Sequence, residues 1–153
     1  MTTTLTTCHD TFTIEREYAV DAATVFAAWT DPDMKLQWFA PPDGCTQRDH
    51  DLDATVGGTE TNRLESPDGL VITYSARYLD VVEDERLVYT YEMYEADKRI
   101  SVSLTTIELA PTATGTRFIL TEQGTFLDDH DQPPFRREGS EQLLDNLTGY
   151  LVP

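Results

Sequence analysis

The sequence predicts an α+β domain in which a curved antiparallel sheet wraps around a long C-terminal helix. Three observations carry that expectation. A lone alternating segment opens the chain and precedes two short helical segments with capping residues. Six segments of strand character then follow one another with only turns between them, which makes their pairing antiparallel. The chain ends in a stretch whose apolar residues recur at helical spacing. With 153 residues, 39% of them hydrophobic and 10% aromatic, the chain has enough apolar material for one core.

Thr11–Val20 sets Phe12, Ile14 and Tyr18 against Thr13, Glu15 and Glu17, and is predicted as the first strand. Asp21 is placed to cap a helix with Val25, Phe26 and Trp29 on one side. Asp31 and Pro32 stop that helix and start another, because an aspartate side chain accepts from unpaired helix N–H groups and a first-turn proline needs no donor. Met34, Leu36, Trp38 and Phe39 make the second helix apolar, and Pro41-Pro42-Asp43-Gly44 ends it. The six strand segments are Thr46–Leu52, Gly58–Glu65, Leu70–Val82, Arg86–Tyr94, Arg99–Leu109 and Thr116–Thr125, with turns that include Ser66-Pro67-Asp68-Gly69 and Glu83-Asp84-Glu85. Ile100, Val102 and Leu104 alternate with Ser101, Ser103 and Thr105. The apolar set is expected on the concave face with Leu87, Tyr89, Tyr91, Met93, Phe118 and Leu120, leaving the hydroxyls wet. Asp128–Pro134 reads as a loop and Phe135–Val152 as the closing helix, with Leu143, Leu144, Leu147, Tyr150 and Leu151 on its apolar side. Gly139 and Gly149 weaken that helix. Residues 1–10 lack a basic start and an apolar run, so they read as a flexible tail rather than a secretory signal, with residues 11–153 as a single domain.

Composition narrows the function classes. The net charge of -17 repels phosphate backbones and anionic headgroups, which argues against nucleic acid and membrane surfaces as partners. No run approaches the roughly 20 apolar residues a membrane span needs. Cys8 and Cys45 are the only cysteines, too few for a zinc site alone, and with no secretion signal they read as reduced thiols of a cytoplasmic protein. Lys35 and Lys98 are the only lysines, and an acidic, lysine-poor surface suits a high-salt habitat.

A curved sheet cannot pack all of its inner residues against one helix, so space for a ligand is expected between them. The candidate lining is Trp38, Tyr89, Tyr91, Met93, Phe118, Leu120 and Leu147; the plainer alternative is that these side chains fill the core. Glu122 keeps step with Phe118 and Leu120 and is therefore expected to point inward. It reads either as a ligand-binding or acid–base group or as a structural carboxylate, and the ion pair is the commoner arrangement. Arg63 and Tyr74 are its expected partners, and both count among the ligand-binding candidates. His50, amid Asp49, Asp51 and Asp53, reads more readily as solvated loop charge than as a cation site, so no metal and no cofactor are expected. Cys45 has no adjacent base to activate it.

Four segments carry a family resemblance. They are Ala28-Trp29-Thr30-Asp31-Pro32 followed by Gln37-Trp38-Phe39-Ala40-Pro41; Val56-Gly57-Gly58; Val81 through Glu85-Arg86-Leu87-Val88-Tyr89-Thr90; and Gly115-Thr116-Arg117 through Thr121-Glu122-Gln123-Gly124. In this order they resemble the family similar to the activator of the heat-shock chaperone ATPase, within the START-like, birch-pollen-allergen-like (SRPBCC) superfamily. The resemblance implies a helix-grip fold: six or seven strands around a long C-terminal helix, with two short helices after the first strand. The tryptophan common before that family's last helix is absent here, and Phe135 is the candidate to stand in for it.

The leading functional expectation is a binding domain for a small apolar or aromatic metabolite or a lipid-like molecule. The superfamily also contains polyketide cyclases, so a cyclase, dehydratase or hydrolase acting on an aromatic or polyketide-like substrate through Glu122, with Tyr91 or Tyr74 orienting it, is the second reading. A chaperone ATPase-activating module, which the family name implies, is the third. The expected assembly is a monomer or a weak homodimer.

Overall fold

The computed structural model describes residues 5–152. Met1–Thr4 of the expected tail, and Pro153, lie outside the described residues. Strand β1 (Thr7–Tyr18) leads into α1 (Ala22–Thr30) and α2 (Pro32–Trp38). Six strands follow: β2 (Thr46–Leu52), β3 (Thr59–Glu65), β4 (Val71–Val82), β5 (Arg86–Glu95), β6 (Lys98–Thr112) and β7 (Gly115–Leu127). Helix α3 (Pro133–Leu151) closes the chain. The seven strands form one antiparallel sheet in the order β1-β7-β6-β5-β4-β3-β2. Among the described residues, no helix is long and apolar enough to cross a membrane.

Local chemistry sets the helix starts. Asp21 Oδ1 accepts from the Thr24 backbone N–H at 2.9 Å and from its hydroxyl at 2.6 Å. Asp31 ends α1 and caps α2, accepting from Asp33 N and Met34 N, while Pro32 occupies the first helical turn. This sharp corner brings Trp29 and Trp38 to 4.8 Å between ring centroids, and the Trp38 indole donates to the Ala28 carbonyl at 2.9 Å. The Gly57-Gly58 pair opens β3 as expected. Gly57 has φ +84, and a Cβ on Gly58 would stand 2.1 Å from the Asp53 carbonyl oxygen. Both glycines bond to the backbone of Tyr78, which fixes the start of β3 against β4.

Three expectations change. Strand β1 begins at Thr7 rather than Thr11, because residues 7–10 pair with the end of β7; the expected tail is therefore partly strand. Helix α3 begins at Pro133 rather than Phe135, since prolines are at home in a first helical turn. The third change concerns β6. Its hydroxyl set faces the interior: Ser101, Ser103 and Thr105 are buried while Val102 is exposed and Leu104 half-buried, and of the apolar set Ile100 alone, at the irregularity in the β5–β6 pairing, is buried. Register is the reason. Ser103 lies opposite Tyr91 and Gly124, and Thr105 opposite Tyr89 and Glu122, and directly paired residues share a face.

Candidate functional site

A cavity of about 530 Å³ lies between the concave face of the sheet, α3 from Phe135 to Asn146 and the segment running from α2 through Asp43. Its walls are aromatic. Trp38 enters from α2, Tyr74 from β4, and Tyr89 and Tyr91 from β5. The tyrosines form a contiguous surface, with Tyr74 and Tyr91 at 4.8 Å and Tyr89 and Tyr91 at 6.3 Å between centroids. Met93 and Leu120 add apolar surface, and Phe135 and Pro42 stand at the solvent side. Phe135, the expected substitute for the family tryptophan, is 66% exposed.

One end of the cavity is polar. Glu122 projects from β7 and is 3% exposed. The Tyr91 hydroxyl donates to Glu122 and lies 2.8 Å from both carboxylate oxygens, and the Thr105 hydroxyl donates to Oε1 at 3.1 Å. Arg136, from the first turn of α3, sits over the ring of Tyr91 and stands 3.9 Å from Glu122 Oε2. Its guanidinium donates to the Tyr91 hydroxyl (3.1 Å), Ser103 (3.3 Å), Ser101 (2.7 Å) and Asp131 (2.7 Å). The inward hydroxyls of β6 therefore have a purpose: with Tyr91 and Asp131 they complete the hydrogen bonding of the buried Glu122 and Arg136. Burial raises the Glu122 pKa above the usual carboxylate value, and the Arg136 charge with the Tyr91 and Thr105 hydrogen bonds pulls it partly back. Burial and the neighbouring Glu122 charge likewise push the Tyr91 phenol up.

Trp38, Tyr74, Tyr89, Tyr91, Met93, Leu120 and Glu122 thus come together at the cavity. Three other candidates do not line it. Arg63 points outward from β3 and pairs with Asp49 at 2.9 Å, because the alternation of that strand turns Asn62 inward instead. Phe118 is fully buried between Trp29 and Tyr18, and Leu147 is fully buried in the core. The expected pairing of Glu122 with Arg63 and Tyr74 is replaced by Tyr91, Thr105 and Arg136. Arg136 was missed from sequence, yet a signal existed. It lies seven and eleven residues before Leu143 and Leu147, on the same helical face, as a lone cation on an apolar stripe.

A second buried charged cluster joins α2 to β2, β3 and β4. Lys35 Nζ on α2 is 2.6 Å from Glu60 Oε1 on β3, with both side chains fully buried. His50 Nε2 is 2.8 Å from Glu60 Oε2, and the Tyr78 hydroxyl donates to Oε1 at 2.9 Å. The Lys35 ammonium also sits 4.8 Å from the Phe39 ring centroid and 5.2 Å from that of Trp29. Burial alone would raise the Glu60 pKa, but Lys35 and the hydrogen bonds from His50, Lys35 and Tyr78 bring it below the usual value. His50 is therefore an interior residue rather than a loop charge among aspartates. Among the described residues, no cluster of His, Cys, Asp and Glu is arranged to hold a metal ion.

A family model described as "Activator of Hsp90 ATPase homolog 1-like protein" matches residues 19–152. The chain belongs to that family. Solved structures of similar chains agree. An uncharacterized protein from Rhizobium leguminosarum is 41% identical, with a TM-score of 0.92 over 97% of this chain and 98% of that one. A Rhizobium loti protein is 38% identical, with a TM-score of 0.88 over 95% of this chain and 99% of that one. A Chromobacterium violaceum protein is 27% identical, with a TM-score of 0.77 over 94% and 97% of the two chains. No curated protein matches significantly. The sheet and C-terminal helix of the activator-like family are the START-like helix grip, a fold of the ligand-binding class.

Proposed function

We propose that this activator-like domain binds a small, largely apolar or aromatic molecule in the cavity. The observation that carries the reading is the cavity itself: about 530 Å³ of space walled by tyrosines and closed at one end by a hydrogen-bonded Glu122–Tyr91–Arg136 group. Sites of that size with few convergent polar groups suit metabolite-sized ligands. Apolar burial supplies affinity in such a site, and the polar end supplies orientation.

Gly139 offers a direct test. It lines the cavity from the middle of α3, and a Cβ there meets nothing within 4 Å. Gly139→Phe therefore places a large side chain on the cavity lining with no clash at its Cβ. The apolar probe phenylnaphthylamine should fluoresce with the wild-type protein and lose that signal with Gly139→Phe. Retention of the full signal by the filled variant would place the probe elsewhere and remove the reading.

Acid–base catalysis is a second reading, favoured by one observation: Glu122 is a cavity-wall carboxylate with a raised pKa and a tyrosine hydroxyl on it. A molecule extracted with the protein and incubated with fresh enzyme separates the two readings. Chemical change that Glu122→Gln abolishes supports catalysis, and recovery of the molecule unchanged supports binding alone.

A further inference from the structure

We propose that the cavity selects ligands whose polar end donates hydrogen bonds or carries positive charge, an apolar or aromatic amine or alcohol, and discriminates against acids. This inference rests on the binding reading above and adds the ligand class.

The hydrogen-bond inventory of the polar end leads to it. Arg136 is the lone cation among the residues lining the cavity, where it is accompanied by Asp43, Glu122 and Asp131. Its terminal nitrogens are already engaged. Nη1 faces Tyr91 and Ser103, and Nη2 faces Ser101 and Asp131. Those two nitrogens carry four of the five guanidinium N–H donors, so an incoming carboxylate finds them claimed and must displace Asp131. Tyr91 is equally committed, because its single proton goes to Glu122 and its oxygen accepts from Arg136.

Glu122 is the group with capacity to spare. The single Tyr91 proton is shared between Oε1 and Oε2, Thr105 adds a second donor at Oε1, and Arg136 stands 3.9 Å from Oε2, beyond hydrogen-bond distance. A carboxylate has about four acceptor sites, so a ligand N–H or O–H can be received at Oε2. A ligand anion would meet unoccupied lone pairs of like charge in a site where water screens poorly. The aromatic lining acts in the same direction, since a tyrosine ring attracts cations to its face, as the Arg136 guanidinium over Tyr91 does. The net charge of -17 also draws a cation towards the protein and repels an anion on approach.

A matched series tests the proposal: naphthylethylamine, naphthylethanol and naphthylacetic acid, which share an aromatic body and differ at the polar end. Calorimetric titration at neutral pH and fixed ionic strength should rank the amine first, the alcohol second and the acid last. The amine should exceed the acid by about tenfold or more, the worth of a hydrogen bond to a charged group. Glu122→Gln should shrink that ratio, and thermal unfolding will show whether the variant is folded. If it is not, the wild-type series decides by itself. Acid binding as tight as amine binding overturns the proposal and leaves the binding reading standing. Amine binding that survives Gly139→Phe is surface attraction and also overturns the proposal. Failure of all three compounds and of phenylnaphthylamine to bind removes both readings.

Discussion

Converting Glu60 to glutamine should be among the most damaging single changes in this protein. The side chain keeps its shape, but Lys35 is left as a fully buried ammonium with no counter-charge. Removing one partner of a buried ion pair costs about 3–5 kcal/mol, chiefly the desolvation of the charge left behind. For a chain of this size each kcal/mol lowers Tm by about 2–4 °C, so Glu60→Gln should melt about 6–20 °C below wild type. Lys35→Met should cost less, because Glu60 retains its hydrogen bonds from His50 and Tyr78. The double variant should be more stable than Glu60→Gln alone, since the stranded charge is gone. Urea unfolding followed by circular dichroism measures all three. The sign of the pH dependence is fixed as well. Glu60 titrates below its ordinary value of 4.5 in the folded protein, so its stabilisation is present above pH 4.5 and is lost as pH falls through the native value. Glu60→Gln should lack that acid-side loss. The damage should also reach the cavity, because Lys35 ties α2, and with it Trp38, to β3. Glu60→Gln stability within about 1 kcal/mol of wild type would refute the reasoning, because it would mean that the pair is not desolvated as its burial implies.

Gly139→Ala and Gly149→Ala should each stabilise the protein by up to about 1 kcal/mol, because both glycines lie within α3 with open space at Cβ. Only the former should change phenylnaphthylamine affinity, since Gly149 does not line the cavity. Glu122 gives a pH dependence opposite to that of Glu60: its raised pKa means that the folded protein holds the proton more tightly, so its contribution declines as pH rises from 4.5 through the native value. Urea unfolding across that range should show the decline in wild type and its absence in Glu122→Gln. Asp31→Ala should cost about 1–2 kcal/mol in chemical denaturation, because one carboxylate oxygen caps two N–H groups of α2.

The sequence by itself determined what contiguous residues control. Asp21, Asp31 and Pro32 set the helix starts, Gly57-Gly58 opened a strand, and the alternation within each strand showed which residues share a face. Those rules act over a few residues and need no knowledge of the rest of the chain. Tertiary structure decided which face is inside and who meets whom. Alternation in β6 was legible, but a hydroxyl face and an apolar face both satisfy a period of two, and only pairing with Tyr91 and Glu122 turned Ser103 and Thr105 inward. Glu122 was legible as an inward carboxylate, while its partner came from a helix fourteen residues later rather than from Arg63. Lys35 and Glu60, 25 residues apart, gave no local sign of their bond. Their meeting depends on how α2 packs across the sheet, which is fixed by the burial of the whole core and not by any segment of it.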